Sequence, residues 1–345
     1  MITSTLASAP PSLRRPPAWH RLLWVAWRRY RTTLLGAAAL LAVEAVYLVD
    51  RGDHMRSAYA AAEACQPRSA ANCRFAFENF HDTYANVGFI GALLVWTPAL
   101  IGVFAGAPLL ARELETGTFR FAWTQGVGRL RWLVAHLVPG VLGVAVLCGA
   151  FGVLVSWYDH PLNASGIQPR LNSSEFPLTG MAVVGWGLAA YALGVVAGLV
   201  VRRVVPALAA GLAVWTGLAF LTAEVLRAHY ASPRTTTSQQ LAGRDLPIDQ
   251  WWAHGGVRVS DAQINQALQA IGVQSLDGGG NFRTGPGSAS VDPIQYLIAH
   301  GYSQWTSYQP ASRFWPFQWI EFGWLACLSL LLLAVTFLWV RRRAA

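Results

Sequence analysis

No lysine occurs anywhere in the 345 residues; all 26 basic residues are arginine. We read this as the codon bias of a GC-rich genome rather than as chemistry. Charge of either sign is scarce: 12% of the residues are charged, about half the share of an ordinary soluble domain. A Gly-rich phosphate loop of Walker type is lacking, and so is Gly-x-Ser-x-Gly. The chain by itself is therefore expected neither to hydrolyse ATP nor to form an acyl-enzyme. The eight histidines do not converge on a ligand spacing, so no metal centre is expected. Only four cysteines occur, and Cys148 and Cys327 fall inside apolar runs, where they read as packing residues.

What is present is apolar length. Hydrophobic residues make up 54% of the chain, and several runs reach the roughly 20 residues needed to cross about 30 Å of hydrocarbon. Six spans are placed at Thr33–Val49, Ala85–Leu110, Leu133–Trp157, Thr179–Val201, Val204–Leu226 and Phe317–Val340. With water excluded, each should be helical. Pro98 and Pro108 supply no amide hydrogen, so the second span is expected to kink, break or form a re-entrant segment. The fold class is an all-α polytopic membrane protein of six transmembrane helices, with an extracytoplasmic insertion between helices five and six. Residues 1–32 form a tail and an interfacial helix, 33–226 carry helices one to five, 227–316 are the insertion, and 317–345 are helix six with a basic tail. The polar residues 1–17 read as a disordered cytoplasmic tail rather than a cleaved leader.

Arginine placement sets the orientation. Arg14, Arg15, Arg21, Arg28, Arg29 and Arg31 precede the first span. Arg112, Arg120, Arg129 and Arg131 lie after the second, Arg202 and Arg203 after the fourth, and Arg341, Arg342 and Arg343 after the last. This side carries 15 Arg against two acids, the other 11 Arg against 12, and three acids lie within spans; together they give the net charge of +9. Both termini are thus expected in the cytoplasm, and the basic balance reflects topology, not nucleic-acid binding. Trp24, Trp27, Trp132, Trp157, Tyr158, Trp315, Trp319 and Trp339 mark the interfaces.

Trp19–Arg31, "WHRLLWVAWRRYR", is read as a short amphipathic helix on the inner leaflet that anchors span one; a second, compatible reading makes it a lever that touches a cytoplasmic partner. On the outer side, residues 50–84 hold Cys65 and Cys73, a candidate disulfide. The insertion is too long for a connector and reads as a small domain or cap. Within it, Ser260–Val273 is expected to be helical with Ser260 and Gln263 as a capping box. A second helix starts at Asp292-Pro293 and ends at Gly301, and "LDGGGNFRTGPGSAS" is a flexible loop. Gly102-x-x-x-Gly106 and Gly194-x-x-x-Gly198 permit close helix contact.

Glu44, Glu224 and Glu321 are the ionisable groups in the spans, where such groups are costly. Glu224 and Glu321 are expected near outer ends, reaching water. Glu44 is deeper, and proton coupling, contact with a cationic substrate and an internal Arg partner are all open for it. The densest charge is the loop at residues 111–132, "ARELETGTFRFAWTQGVGRLRW". Glu113 and Glu115 are the only acids on the inner side, where anionic lipid disfavours them, so each should have a positive partner. Gly117 and Thr118 should break the helix and cap a second short one ending at Arg131. Internal pairing and docking onto a cytoplasmic protein are equally compatible with this shape.

This loop, "AWRRYRTTLLG" near the N-terminus, the outer cysteine pair, and "YQPASRFWPFQWIEFGW" with "RRR" behind the last span resemble six-span, exporter-type permease subunits of ABC transporters common in actinobacteria. The most specific stretch is Glu-x-Glu-x-Gly-Thr with Thr124-Gln125 after it. The resemblance implies that Glu113, Glu115, Gly117, Thr118, Gln125, Arg129 and Arg131 belong to a coupling element. That element sits in a cleft of a separate ATP-binding subunit, which uses ATP and Mg. It further implies no cofactor in this chain, assembly as a dimer with itself or a sister permease, and the bacterial plasma membrane as location. A membrane-anchored sensor or scaffold whose outer domain does the work is the second reading.

Overall fold

The protein is described from a computed structural model covering residues 19–66, 71–84, 88–117, 129–166, 169–237, 241, 245–269, 271, 273–276, 282–284 and 293–343. The expectation for residues 1–17 lies outside this range. Six helices among the described residues are long and apolar enough to cross a membrane.

The first, α1, runs unbroken over Trp19–Ala64, 46 residues. The Trp19–Arg31 segment therefore does not form a separate surface helix. It is the start of a rod that continues through the first span and 15 residues beyond its expected end. Neither proline nor glycine interrupts the sequence between Trp19 and Leu35. Ala26 and Tyr30 face inward while Trp24 and Trp27 are exposed, so the amphipathic pattern is real but belongs to the bundle. A second helix, α2 (Ala71–Tyr84), folds back on α1, and a Cys65–Cys73 disulfide with Cα atoms 5.4 Å apart joins them.

Helix α3 (Gly88–Thr116) is continuous through both Pro98 and Pro108, so the break or re-entrant segment does not form. Membrane helices tolerate such prolines where neighbours satisfy the freed backbone groups. Helix α4 (Arg129–Tyr158) is followed by the single turn α5 (His160–Ser165). Helix α6 (Ala182–Val201) is small-residue-rich and apolar on every side, the composition of a helix surrounded by others. It packs on α3, α4, α7 (Val204–Leu221) and α10 (Phe314–Arg343). The closest approach is between α3 and α6. A Cβ added at Gly106 would fall under 3.0 Å from the Tyr191 carbonyl, and one at Gly198 equally close to that of Ala107. Cys148 is buried against Gly187, whereas Cys327 is exposed on α10.

The fifth span ends differently from its expectation. After α7 comes a π turn, Thr222–Leu226, then a 3-10 turn, Arg227–His229. π turns are rare and gather at functional positions. The insertion adds an antiparallel sheet to an otherwise helical chain, in the order β1 (Arg234–Thr237), β6 (Tyr302–Gln309), β2 (Leu246–His254), β3 (Val257–Arg258). Leu246 pairs with Gln309 and His254 with Tyr302, with a register shift after Pro247, which has no amide to donate. Helix α8 (Asp261–Gln269) starts at the expected cap, where the Ser260 amide donates to Gln263 Oε1 at 3.0 Å. It stops short of Val273, which begins β4 (Val273–Leu276), and β4 pairs with β5 (Phe282–Thr284). Strand therefore occupies part of the expected flexible loop. Helix α9 (Pro293–Ala299) closes the unit, ending before Gly301 at φ +81°. Trp252, Ile264, Leu268, Val273 and Leu297 form its core. Two bonds hold the sheet to the segments that enter and leave it: Gln309 donates to the Ala231 carbonyl at 2.7 Å, and Asp245 accepts from the Ala311 amide at 2.8 Å.

Candidate functional site

Two polar regions stand out, one at each end of the bundle. At the end bearing the 111–132 loop, α3 carries Glu113 and Glu115 in its last turns. Thr116 donates to the Arg112 carbonyl, and Gly117 at φ +70° ends the helix in the left-handed conformation that glycine adopts at least cost. Glu115 is exposed, and its Oε2 accepts the Val204 amide at 3.1 Å. That amide belongs to the first turn of α7, which has no partner within its own helix. Glu115 thus caps α7 and fixes the loop to the α6–α7 turn, where Arg202 sits at φ 59°. Glu113 is half-buried and also engaged. Arg131 lies with Cζ 4.5 Å from the Trp19 ring, joining the start of α4 to the start of α1. Thr118 and Gln125 lie outside the described residues, as does the second short helix; the side chain of Arg129 is likewise not described.

Between the ends, Glu44 meets Thr97, whose hydroxyl donates to Oε1 at 2.6 Å; its Oε2 is buried without a partner. Among the described residues no Arg pairs with Glu44. Below it, α1 and α3 enclose a groove of about 490 Å³, lined among others by Gly36, Leu40, Phe104 and Pro108.

At the end bearing the insertion, Glu321 is fully buried rather than at water. Its two oxygens accept four hydrogen bonds: Oε1 from Trp186 Nε1 at 2.7 Å and Arg227 Nη2 at 3.2 Å, Oε2 from Arg227 Nε at 3.3 Å and Tyr230 at 3.1 Å. This uses the whole capacity of a carboxylate. Arg227 also donates to the Ser173 carbonyl at 3.4 Å and lies 4.6 Å over the Phe176 ring. Gln318, one turn before Glu321, bonds the Phe176 carbonyl and the Ala182 amide. These bonds lock α6, α10, the end of the fifth span and the 169–179 segment into one block. Glu224, in the π turn, is exposed. A cavity of about 420 Å³ borders Arg227, walled by Trp96, Trp186 and Trp215.

Asp159 and Glu175 form a further pair at this end. Burial pushes the Asp159 carboxyl well above its usual range, and the neighbouring Glu175 charge adds to the shift. Burial raises Glu175 to about 7.

Against this geometry, a family model described as ABC-2 membrane transporter related matches residues 38–227, more than half of the chain. The chain belongs to the ABC-2 membrane transporter related family. Comparison with curated proteins and with solved structures gives no match. As an ABC-2 member it is a multi-pass membrane transport component, and membership implies an ABC transporter with an ATP-binding partner. The match contains the whole 111–132 loop, Glu44, both bonded cysteines and Glu224. Its last residue is Arg227; Glu321 and nearly all of the insertion lie outside it. Sequence reasoning missed Thr97, Arg227, Asp159 and Glu175. The signal for Arg227 was an arginine one turn after Glu224, at a span end where no charge was needed for orientation.

Proposed function

We propose that this ABC-2 chain is the membrane-spanning permease subunit of an ATP-driven exporter. Family membership carries the reading, and the Glu115–Val204 bond gives it a route. The 111–132 loop and both termini face the cytosol, the insertion faces outward, and the loop docks on a separate subunit that binds ATP and Mg. A push on that loop reaches α7 through Glu115 and α4 through Arg131. Since α6, α10 and the end of the fifth span are locked together by Glu321, the element freest to shift is α1, along the groove it shares with α3. Substrate passage lies between two permeases, this chain with itself or with a sister, in contact with lipid, lined by spans one, two and five. Nucleotide moves such a balance only by binding one state more tightly than the other.

Two experiments test this. An ATP-binding protein with a Walker motif should co-purify with the full-length chain and be lost when residues 112–131 are deleted. Glu113→Ala with Glu115→Ala should leave membrane insertion intact but separate ATP hydrolysis from transport; coupled transport at the wild-type level would refute the role of the loop.

A further inference from the structure

Asp159 stands where it should cap a helix and does not. It precedes α5, with Pro161 in the first turn, and its side chain makes no capping bond. An Asp in that position ordinarily accepts from an amide two or three residues on. Here the residue is 4% exposed and its Oδ2 has no hydrogen-bond partner. One turn along, Asn163 directs Nδ2 onto the Asp159 carbonyl at 3.0 Å, and its Oδ1 is buried, also without a partner. Burial, and after it the charge of Glu175 in the 169–179 segment, raise the Asp159 carboxyl above its usual range. Among the described residues no cation pairs with either carboxylate. Arg56 turns to Trp157 instead: its guanidinium lies 4.1 Å over the Trp157 ring and donates to the Trp157 carbonyl, while its Nε is buried without a partner.

We propose that Asp159, Asn163 and Glu175 form a binding site for a hard divalent cation, calcium or magnesium, at the end of the bundle that bears the insertion. The orphaned atoms are all oxygens, the donor type these cations take. Zinc would call for nitrogen or sulfur, which this cluster does not offer. A buried Asp159 carboxylate beside the half-buried Glu175 places negative charge where a low-dielectric site cannot hold it alone. One divalent cation neutralises both and gives each orphaned acceptor a partner. Glu175 is half-buried, which leaves an entry path and room for water to complete the roughly six to eight ligands that calcium prefers. The chief rival is a proton: Asp159 protonated and donating to Asn163 Oδ1. The direction of transport does not bear on either.

Terbium separates the two, since it replaces calcium and emits when an indole close by is excited; Trp157 is two residues from Asp159. The full-length chain, with whatever subunits co-purify, is titrated with Tb3+ in lipid nanodiscs and then with calcium or magnesium. The expected result is emission that calcium displaces. Asp159→Asn and Glu175→Gln should each weaken terbium affinity by at least the roughly 10–100-fold that loss of even an outer-shell partner costs. Calcium should also raise the melting temperature of the wild type and of neither variant. The proposal is overturned if no calcium-displaceable emission occurs, or if both variants bind as the wild type does. It is equally overturned if Asp159→Asn stabilises the protein at neutral pH while calcium does nothing, the outcome expected of a buried proton. Should Asp159→Asn fail to fold, the half-buried Glu175→Gln decides.

Discussion

Glu321 shows how far one side chain can depart from what its position in the chain suggests. It lies seven residues into α10, close to the end of a span, where a carboxylate ordinarily reaches water. Its partner Arg227 is 94 residues earlier, on the far side of the insertion. Nothing local in the sequence announces that pairing; only the fold brings the two together. Removing one member of a buried ion pair leaves an uncompensated charge and typically costs about 3–5 kcal/mol, whereas replacing both by apolar residues is often neutral. Glu321→Ala should therefore lower the unfolding free energy in detergent by about that much. Arg227→Met combined with Glu321→Leu should recover most of the loss. A double variant as unstable as the single one would show that Trp186 and Tyr230, and not the charge pair, are what Glu321 serves.

The spans were legible element by element, because about 20 apolar residues in a bilayer have one low-energy form. Their ends were not. Residues 50–64 read as a loop because they carry charge, yet the alanine-rich run Ala58–Ala64 favours helix, and α1 continues through it. The sheet was illegible for a different reason: β2 and β6 pair across about 50 residues of intervening chain, and no local pattern encodes that register. The glycine spacing in α3 and α6 was read as packing, and here the structure is specific. Gly106 faces the Tyr191 carbonyl with no space for a methyl group, and backbone cannot swing aside as a side chain can. Gly106→Ala should lower thermal stability by about the 1–3 kcal/mol typical of overpacking. Gly217→Ala, with nothing within 4 Å of its added Cβ, should not lower it, since alanine is the better helix former. Equal melting temperatures for the two variants would argue against tight α3–α6 contact. In the 111–132 loop, the sequence singled out Glu115 but not the Val204 amide it accepts from. A cap supplied from another helix leaves no mark at the position it caps.

On the scale of the whole molecule, orientation is the quantity on which the function rests. Thr116 and Val257 are both exposed and sit at opposite ends of the protein, one at the end of α3 and one in the insertion. With Cys148 and Cys327 replaced, Thr116→Cys should react with a membrane-impermeant maleimide only after cells are opened. Val257→Cys should react in intact cells. The reverse pattern would place the loop outside and remove any contact with a cytosolic ATP-binding subunit.

The length of α1 has a mechanical consequence. At 1.5 Å per residue its 46 residues measure about 69 Å, against about 40–45 Å for a bilayer with its headgroups. Some 25 Å of the rod must therefore stand clear of the lipid. Rocked by about 10° around its midpoint, a helix of that length carries its two tips about 6 Å in opposite directions, like a seesaw. The disulfide-tied hairpin at one tip and Trp19 at the other would then swing in antiphase, so a nudge at one tip is read at the other with no helix in the bundle having to unwind.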